Sequence, residues 1–261
     1  MRLFKIILPL LLCAGLGACS IKEDRADCPC VLELSVDGGD LDRDIISVWD
    51  GGLRLRDTLH TGGGKSSFNI EIPKGFPVLS VMSGTEVCET EISLLTVPFG
   101  EEMKEVYAWA EKVDSRCETI SRQAVLHRQY AYIHLNVIFQ NGEDSPFVLR
   151  LRSNVCGMDL ATLAPVPGPF EVSFMPVVGS YHRICVPRQI DDSMMLDFIP
   201  RDASVQYGFD SLPLGRYLEE TGFDWSAPDL TDVYLDIDYV KALVTVSVEE
   251  WKEGKTVDLV I

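Results

Sequence analysis

Tyr130-Ala131-Tyr132-Ile133-His134-Leu135-Asn136-Val137-Ile138-Phe139 is the stretch that decides the fold class. Ala131, Ile133, Leu135, Val137 and Phe139 recur at every second position, opposite Tyr132, His134 and Asn136. Successive side chains of a strand point to opposite faces, so a period of two predicts a β-strand with one apolar and one polar face. The pattern returns along the chain. Leu32, Leu34 and Val36 alternate with Glu33 and Ser35; Phe68, Ile70 and Ile72 alternate with Asn69 and Glu71. Val233, Leu235, Ile237 and Tyr239 oppose Asp236 and Asp238, and Ala242, Val244, Val246 and Val248 oppose Thr245, Ser247 and Glu249. Turn signals separate these runs: Gly38-Gly39, Gly51-Gly52, Gly62-Gly63-Gly64, Asn141-Gly142 and Pro167-Gly168. Many short strands with such turns predict an all-β protein built from β-sandwiches. The one persuasive helix covers residues 213–221, with Pro213 at its start and Gly222 after it.

The first residues are not part of that fold. Arg2 and Lys5 precede an apolar run over residues 6–12, which is too short for a spanning helix of about 20 residues. Leu16-Gly17-Ala18-Cys19 then has the form of a lipoprotein cleavage site: small residues admit a peptidase, and the Cys19 thiol takes the lipid. Residues 1–18 are therefore expected to be a signal peptide. Residues 19–27 are expected to be a lipidated tether of roughly 25–30 Å at about 3.3–3.6 Å per residue. Each buried methylene contributes about 0.8 kcal/mol, so several acyl chains hold a protein to a membrane for long periods. Lys22-Glu23-Asp24 resembles the signal that sends Bacteroidetes lipoproteins to the outer face of the outer membrane. The expected location is the cell outer membrane, lipid-anchored and surface-exposed.

The length of 261 residues suits two domains. Residues 114–123 are polar and weakly patterned, so the division is placed there: an N-terminal sandwich over residues 28–121 and a C-terminal one over 122–261. The net charge of −17 makes nucleic-acid phosphates poor partners. Beyond Cys13 and Cys19, six cysteines remain: Cys28, Cys30, Cys88, Cys117, Cys156 and Cys185. An even number in an exported chain favours disulfides, and six allow fifteen pairings. Cys156 with Cys185, and Cys28 or Cys30 with Cys88 or Cys117, are the pairings expected within the two domains.

The sequence holds fragments of several catalytic and metal-binding motifs, and each is incomplete. Gly62-Gly63-Gly64-Lys65-Ser66 lacks the first glycine of a phosphate loop, since Leu59 stands there, and a strand follows it where a helix is needed. Asp40, Asp42 and Asp44 resemble the start of a calcium loop, but Ile45 occupies the glycine position and Gly51 the closing glutamate position. Asp236 and Asp238 read as the wet side of a strand. His60, His127, His134 and His182 have no ligand-like spacing, Cys28-Pro29-Cys30 lacks partners for zinc, and no serine sits in G-x-S-x-G. No catalytic residue, cofactor, metal or small-molecule ligand is expected, and the chain reads as a non-enzyme.

Four passages resemble the FimB-type anchor lipoproteins of Bacteroidetes (type V) fimbriae. They are Glu23-Asp24-Arg25-Ala26-Asp27-Cys28-Pro29, Asn154-Val155-Cys156-Gly157-Met158-Asp159-Leu160 and Pro187-Arg188-Gln189-Ile190-Asp191-Asp192-Ser193. The last runs from Leu214-Gly215-Arg216-Tyr217 through Phe223-Asp224-Trp225, Pro228-Asp229-Leu230 and Ile237-Asp238-Tyr239 to Trp251. The resemblance implies two transthyretin-like β-sandwiches in tandem. It also implies an anchor role at the base of a fimbria, holding the shaft to the outer membrane and limiting its length. The pair Cys28 and Cys30 departs from the pattern, in which only the first is expected.

In such fimbriae one subunit's strand fills a groove in the next, and shaft subunits open that groove by losing an N-terminal strand. An anchor keeps its N-terminus, where its lipid is, so residues 31–36 are expected to stay in place. The C-terminal residues 256–261, with Val257, Leu259 and Ile261 on one face, are then either a strand offered to a shaft subunit or the closing strand of the chain's own sheet. The alternatives to an anchor are an accessory or tip subunit, and a free-standing surface lipoprotein that binds glycan or host protein. Trp49, Trp109, Trp225 and Trp251 are scattered in sequence, which disfavours a sugar site.

Overall fold

A computed structural model describes residues 28–37, 43–60, 66–84, 93–138, 145–176, 181–202, 210–238, 243–248 and 257–260. Cys19, Cys88, Ile261, Asp40, Asp42 and the glycine run at residues 62–64 lie outside them. In chain order the first half carries β1 (Cys30–Asp37), β2 (Arg43–Trp49), β3 (Leu53–His60), β4 (Ser66–Ile72), β5 (Val78–Gly84), β6 (Leu94–Thr96), β7 (Val106–Lys112), β8 (Thr119–Val125) and β9 (His127–Arg128). The second carries β10 (Tyr130–Ile138), β11 (Phe147–Asp159), β12 (Pro165–Phe174), β13 (His182–Pro187), β14 (Met195–Pro200) and β15 (Ser211–Leu212). It continues with helix α1 (Leu214–Thr221), β16 (Val233–Asp238), β17 (Leu243–Val248) and β18 (Val257–Val260).

These strands form four sheets in two sandwiches. Sheet β4-β1-β8 faces sheet β3-β2-β5-β7-β9, and sheet β13-β10-β16-β17-β18 faces sheet β12-β11-β14-β15. The same wiring occurs twice. The first strand of each sandwich, β1 or β10, lies between an antiparallel neighbour, β4 or β13, and a parallel one, β8 or β16. The second strand, β2 or β11, lies antiparallel between the third and fifth strands. Parallel neighbours need a crossover, which the opposite sheet provides. The chain is thus two transthyretin-like sandwiches in tandem.

The alternation read in the sequence accounts for the cores. Leu32, Leu34 and Val36 from β1 meet Ile46, Val48, Leu79 and Val81 in the first; Ile133, Leu135 and Val137 from β10 meet Leu149, Leu151, Leu196 and Phe198 in the second. Helix α1 adds Leu214 and Leu218, four residues apart on one face. It ends at Gly222, whose φ of 81° is costly for any residue with a Cβ. There the Gly222 amide donates to the Glu219 carbonyl and the Phe223 amide to the Leu218 carbonyl.

The division expected after Ser121 falls inside β8, which pairs with β1 from Thr119 to Val125. This strand was illegible because its inward positions are Ile120 and Ala124, while Arg122 between them pairs with Glu111. β9 still pairs with β7, so the chain passes to the second sandwich at Gln129.

Candidate functional site

The two sandwiches meet through a third apolar cluster. Trp49, Met82, Met103, Val106 and Ala108 pack there against Tyr130, Tyr132, Met158, Leu160 and Cys185. This corrects the reading of β10 at its start: the face carrying Tyr132 is covered by the first sandwich, and only from His134 onward does it reach solvent.

A segment of the first half crosses into the second. β6 adds to β11, pairing Thr96 with Gly157 and Leu94 with Asp159. The Val97 amide donates to the Cys156 carbonyl at 2.7 Å, and the Leu160 amide to the Ser93 carbonyl at 2.6 Å. Further along, the Met103 amide donates to the Cys185 carbonyl at 3.0 Å, and the Glu102 carboxylate accepts from the Cys185 amide at 2.8 Å. Gly157 permits this approach, since a Cβ there would lie 2.0 Å from the Leu95 carbonyl oxygen.

Charged side chains complete the junction. The Arg128 guanidinium bonds Asp232 and lies 4.3 Å from the Tyr130 ring centre, within cation–π range. Burial alone would depress its basicity, but the Asp232 contact outweighs this and raises it. Asp232 also accepts from His134 Nε2 at 3.1 Å if that nitrogen carries the proton, and the His134 ring stacks on Tyr234 with centres 4.4 Å apart. Burial raises the phenols of Tyr130 and Tyr132, helped respectively by Tyr107 and Glu105, so both stay neutral.

Arg188, directly after β13, ties the loop at residues 225–228 to the crossing point at Arg128 and Gln129. Its Nε donates to Gln129 Oε1 at 3.3 Å; its Nη1 donates to the carbonyls of Trp225 and Ala227; its Nη2 donates to those of Arg128 and Pro228. All five donors are spent, and burial pushes its basicity down. Gln129, at the crossing point, donates its amide to the Val106 carbonyl at 2.9 Å. Residues of three of the passages singled out in the sequence thereby come together. Asn154 donates its amide to Ser193 Oγ, and a Cβ on Gly215 would meet the Asp192 carbonyl oxygen at 2.3 Å. The same loops enclose a cleft of about 640 Å³ lined in part by Arg188, Gln189, Glu219, Phe223, Asp224 and Trp225.

Other expected site residues are dispersed. Asp236 accepts from Asn136 and from the Tyr181 hydroxyl, while Asp238 is buried. His127 lies 3.0 Å from Asp229 and His182 stacks on Phe174. Among the described residues no cluster of metal-ligating side chains occurs, and no helix is long and apolar enough to cross a membrane. The described cysteines are free thiols. The expected Cys156–Cys185 bond is not formed: the Cys156 thiol faces the Val166 carbonyl, whereas Cys185 is buried in the junction cluster. Val257 and Leu259 fall on β18, which pairs with β17 as the outermost strand of its sheet.

No protein-family model and no curated protein matches this sequence. Solved structures do share its fold. One is a candidate polysaccharide-binding protein from Bacteroides thetaiotaomicron, with TM-score 0.59 and 11% identity over 88% of this chain and 98% of that one. Another is the fimbrial anchor protein Mfa2 from Porphyromonas gingivalis, with TM-score 0.55 and 12% identity over 85% and 98%. A third is a candidate adhesin from Bacteroides ovatus, with TM-score 0.53 and 12% identity over 91% and 97%. At such identities the shared property is the tandem-sandwich fold.

Proposed function

We propose that this chain is a non-enzymatic subunit of a cell-surface fimbria, and within it the lipid-anchored FimB-type subunit that holds the shaft to the outer membrane. The observation that carries the reading is the state of β1. It is paired on both sides, with β4 from Cys30 to Val36 and with β8 from Val31 to Asp37. A subunit whose N-terminus stays with its lipid keeps its own groove closed in this way. The expected tether, residues 19–27, comes just before this sandwich and leads back to Cys19. The opposite end of the chain, β18, lies at a sheet edge with one side unpaired among the described strands. An edge strand offers main-chain donors and acceptors to a neighbour, so a shaft subunit joins there. The fold shared with Mfa2 supports the same role.

The test is genetic. Deleting the gene in its host should shed fimbriae into the medium, and the wild-type gene should restore attachment. A Cys19→Ala chain should be made but released from the membrane fraction, with fimbriae still shed. Fimbriae that stay on cells after deletion would end the anchor reading.

A glycan- or host-binding role is the second reading, and the cleft beside Trp225 favours it, because an indole wall with Glu219 and Asp224 suits sugar stacking and hydroxyl bonding. Binding of whole cells to an immobilised glycan set, lost in Trp225→Ala, would move the assignment that way.

A further inference from the structure

We propose that Cys30 and Cys117 are joined by a disulfide in the exported protein, and that this bond clamps β1 into its sheet. Cys30 is the first residue of β1 and is fully buried; Cys117 is exposed and lies two residues before β8 begins. The strands run parallel there, with Val31 opposite Thr119 and the Val31 amide donating to the Glu118 carbonyl at 2.8 Å. That register sets the two residues at the same end of the strand pair, near enough for the charge of one sulfur to act on the other. Cys28 is two positions away and exposed, outside the paired strand.

The accessible thiol reacts first. The Cys117 thiolate attacks the disulfide of an extracytoplasmic thiol–disulfide oxidase, giving a mixed disulfide and releasing one oxidase thiolate. The Cys30 thiolate then attacks the Cys117 sulfur and releases the second. Two protein thiols give up two protons and two electrons, and the oxidase departs as a dithiol. Burial pushes the Cys30 thiol up, with Cys117 adding to the shift, so the second attack is the slow one.

The bond has a mechanical meaning that rests on the anchor reading. Tension on a fimbria held at Cys19 reaches the fold at the N-terminal end of β1. Hydrogen bonds to β4 and β8 alone would then be loaded from one end and open in sequence. A covalent link at Cys30 passes the load into β8, which leads directly to the junction at Gln129.

The test uses the full chain, exported with its own leader and isolated with thiols capped by N-ethylmaleimide before denaturation. Peptide mass mapping without reductant should find the Cys30 peptide joined to the Cys117 peptide, two hydrogens lighter than the pair. The link should persist in Cys28→Ser. Both thiols capped, or either joined to Cys28, Cys88, Cys156 or Cys185, overturns the pairing. Oxidation of the purified reduced chain by oxidised glutathione reads the geometry apart from export and anchoring, and failure to form the same link there also overturns it. Reduction should lower the thermal midpoint by roughly 5–15 °C and speed amide exchange at Val31 and Leu32 at least about tenfold. Unchanged exchange in β1 would overturn the clamp. No mutant is needed for this comparison.

Discussion

Replacing Arg188 should loosen the loop at residues 225–228 and its tie to the crossing point, because one side chain there holds four main-chain carbonyls and Gln129. A hydrogen bond from a charged donor contributes about 1.5–3 kcal/mol in mutational series. Three of the five bonds are long, at 3.1–3.3 Å, so the two from Nη1 to Trp225 and Ala227 carry most of the effect. Their loss, about 3–5 kcal/mol gross, is partly offset because a half-buried cation no longer has to be desolvated. Arg188→Met keeps the apolar stem and should cost about 2–4 kcal/mol. Arg188→Lys keeps the charge, but an ammonium has three donors and no planar fork, so it should cost about 1–2 kcal/mol. Urea unfolding followed by tryptophan emission reads this directly, since Trp225 supplies one of the acceptors; far-UV circular dichroism reports the sandwiches themselves. An Arg188→Met chain within about 0.5 kcal/mol of wild type, a margin common for surface changes, would refute the fastening role.

Gly157→Ala should expel β6 from β11, since its Cβ would sit 2.0 Å from the Leu95 carbonyl oxygen; a cost of about 1–3 kcal/mol and faster exchange at the Val97 amide are expected, while Gly52→Ala, with nothing within 4 Å, should be nearly neutral. Asp197 gives a pH signature. Burial alone would raise its pKa, but hydrogen bonds from Arg152, Ser211 and Arg150 outweigh it and hold the carboxyl below its ordinary value of 3.8. The stability this contributes is therefore full above the unfolded value and lost as pH falls through the lower folded one. The gap in urea midpoint between wild type and Asp197→Asn should be constant at pH 6–7 and shrink below about pH 4; a gap that widens on acidification would contradict the assignment. Cutting the chain after Lys255 separates two roles for residues 256–261. A donated strand leaves protein level normal and releases fimbriae, an internal strand lowers the level, and normal level with attached fimbriae excludes both.

The strands were legible wherever one face is buried and the other wet, because that condition writes a period of two into the sequence. Leu32-Glu33-Leu34-Ser35-Val36 folds as it reads. The helix was legible from Pro213 and Gly222, which do at its ends what their backbone restrictions require. β8 was hidden because an alanine and a salt-bridged arginine replace large apolar residues. The junction was hidden for a different reason. Tyr132 looks like a polar-face residue until the first sandwich covers it, and β6 is three residues whose partner lies over sixty positions away. Nothing in Pro187-Arg188-Gln189 says that the acceptors of Arg188 are carbonyls thirty-seven to sixty residues distant.

Those acceptors explain how so few identical residues can keep one architecture. A carbonyl is present whatever side chain its residue bears. The clamp of Arg188, the bonds of Val97 and Leu160 across β6, and the Met103–Cys185 contact all read main chain. What they demand of sequence is one guanidinium, room for backbone at Gly157 and Gly215, and apolar volume in the cluster around Tyr130. Identity of 11–12% with chains of the same fold is what such a junction permits. The bond proposed at Cys30 would add one covalent tie to these main-chain contacts, at the end of β1 that bears load if the chain is an anchor.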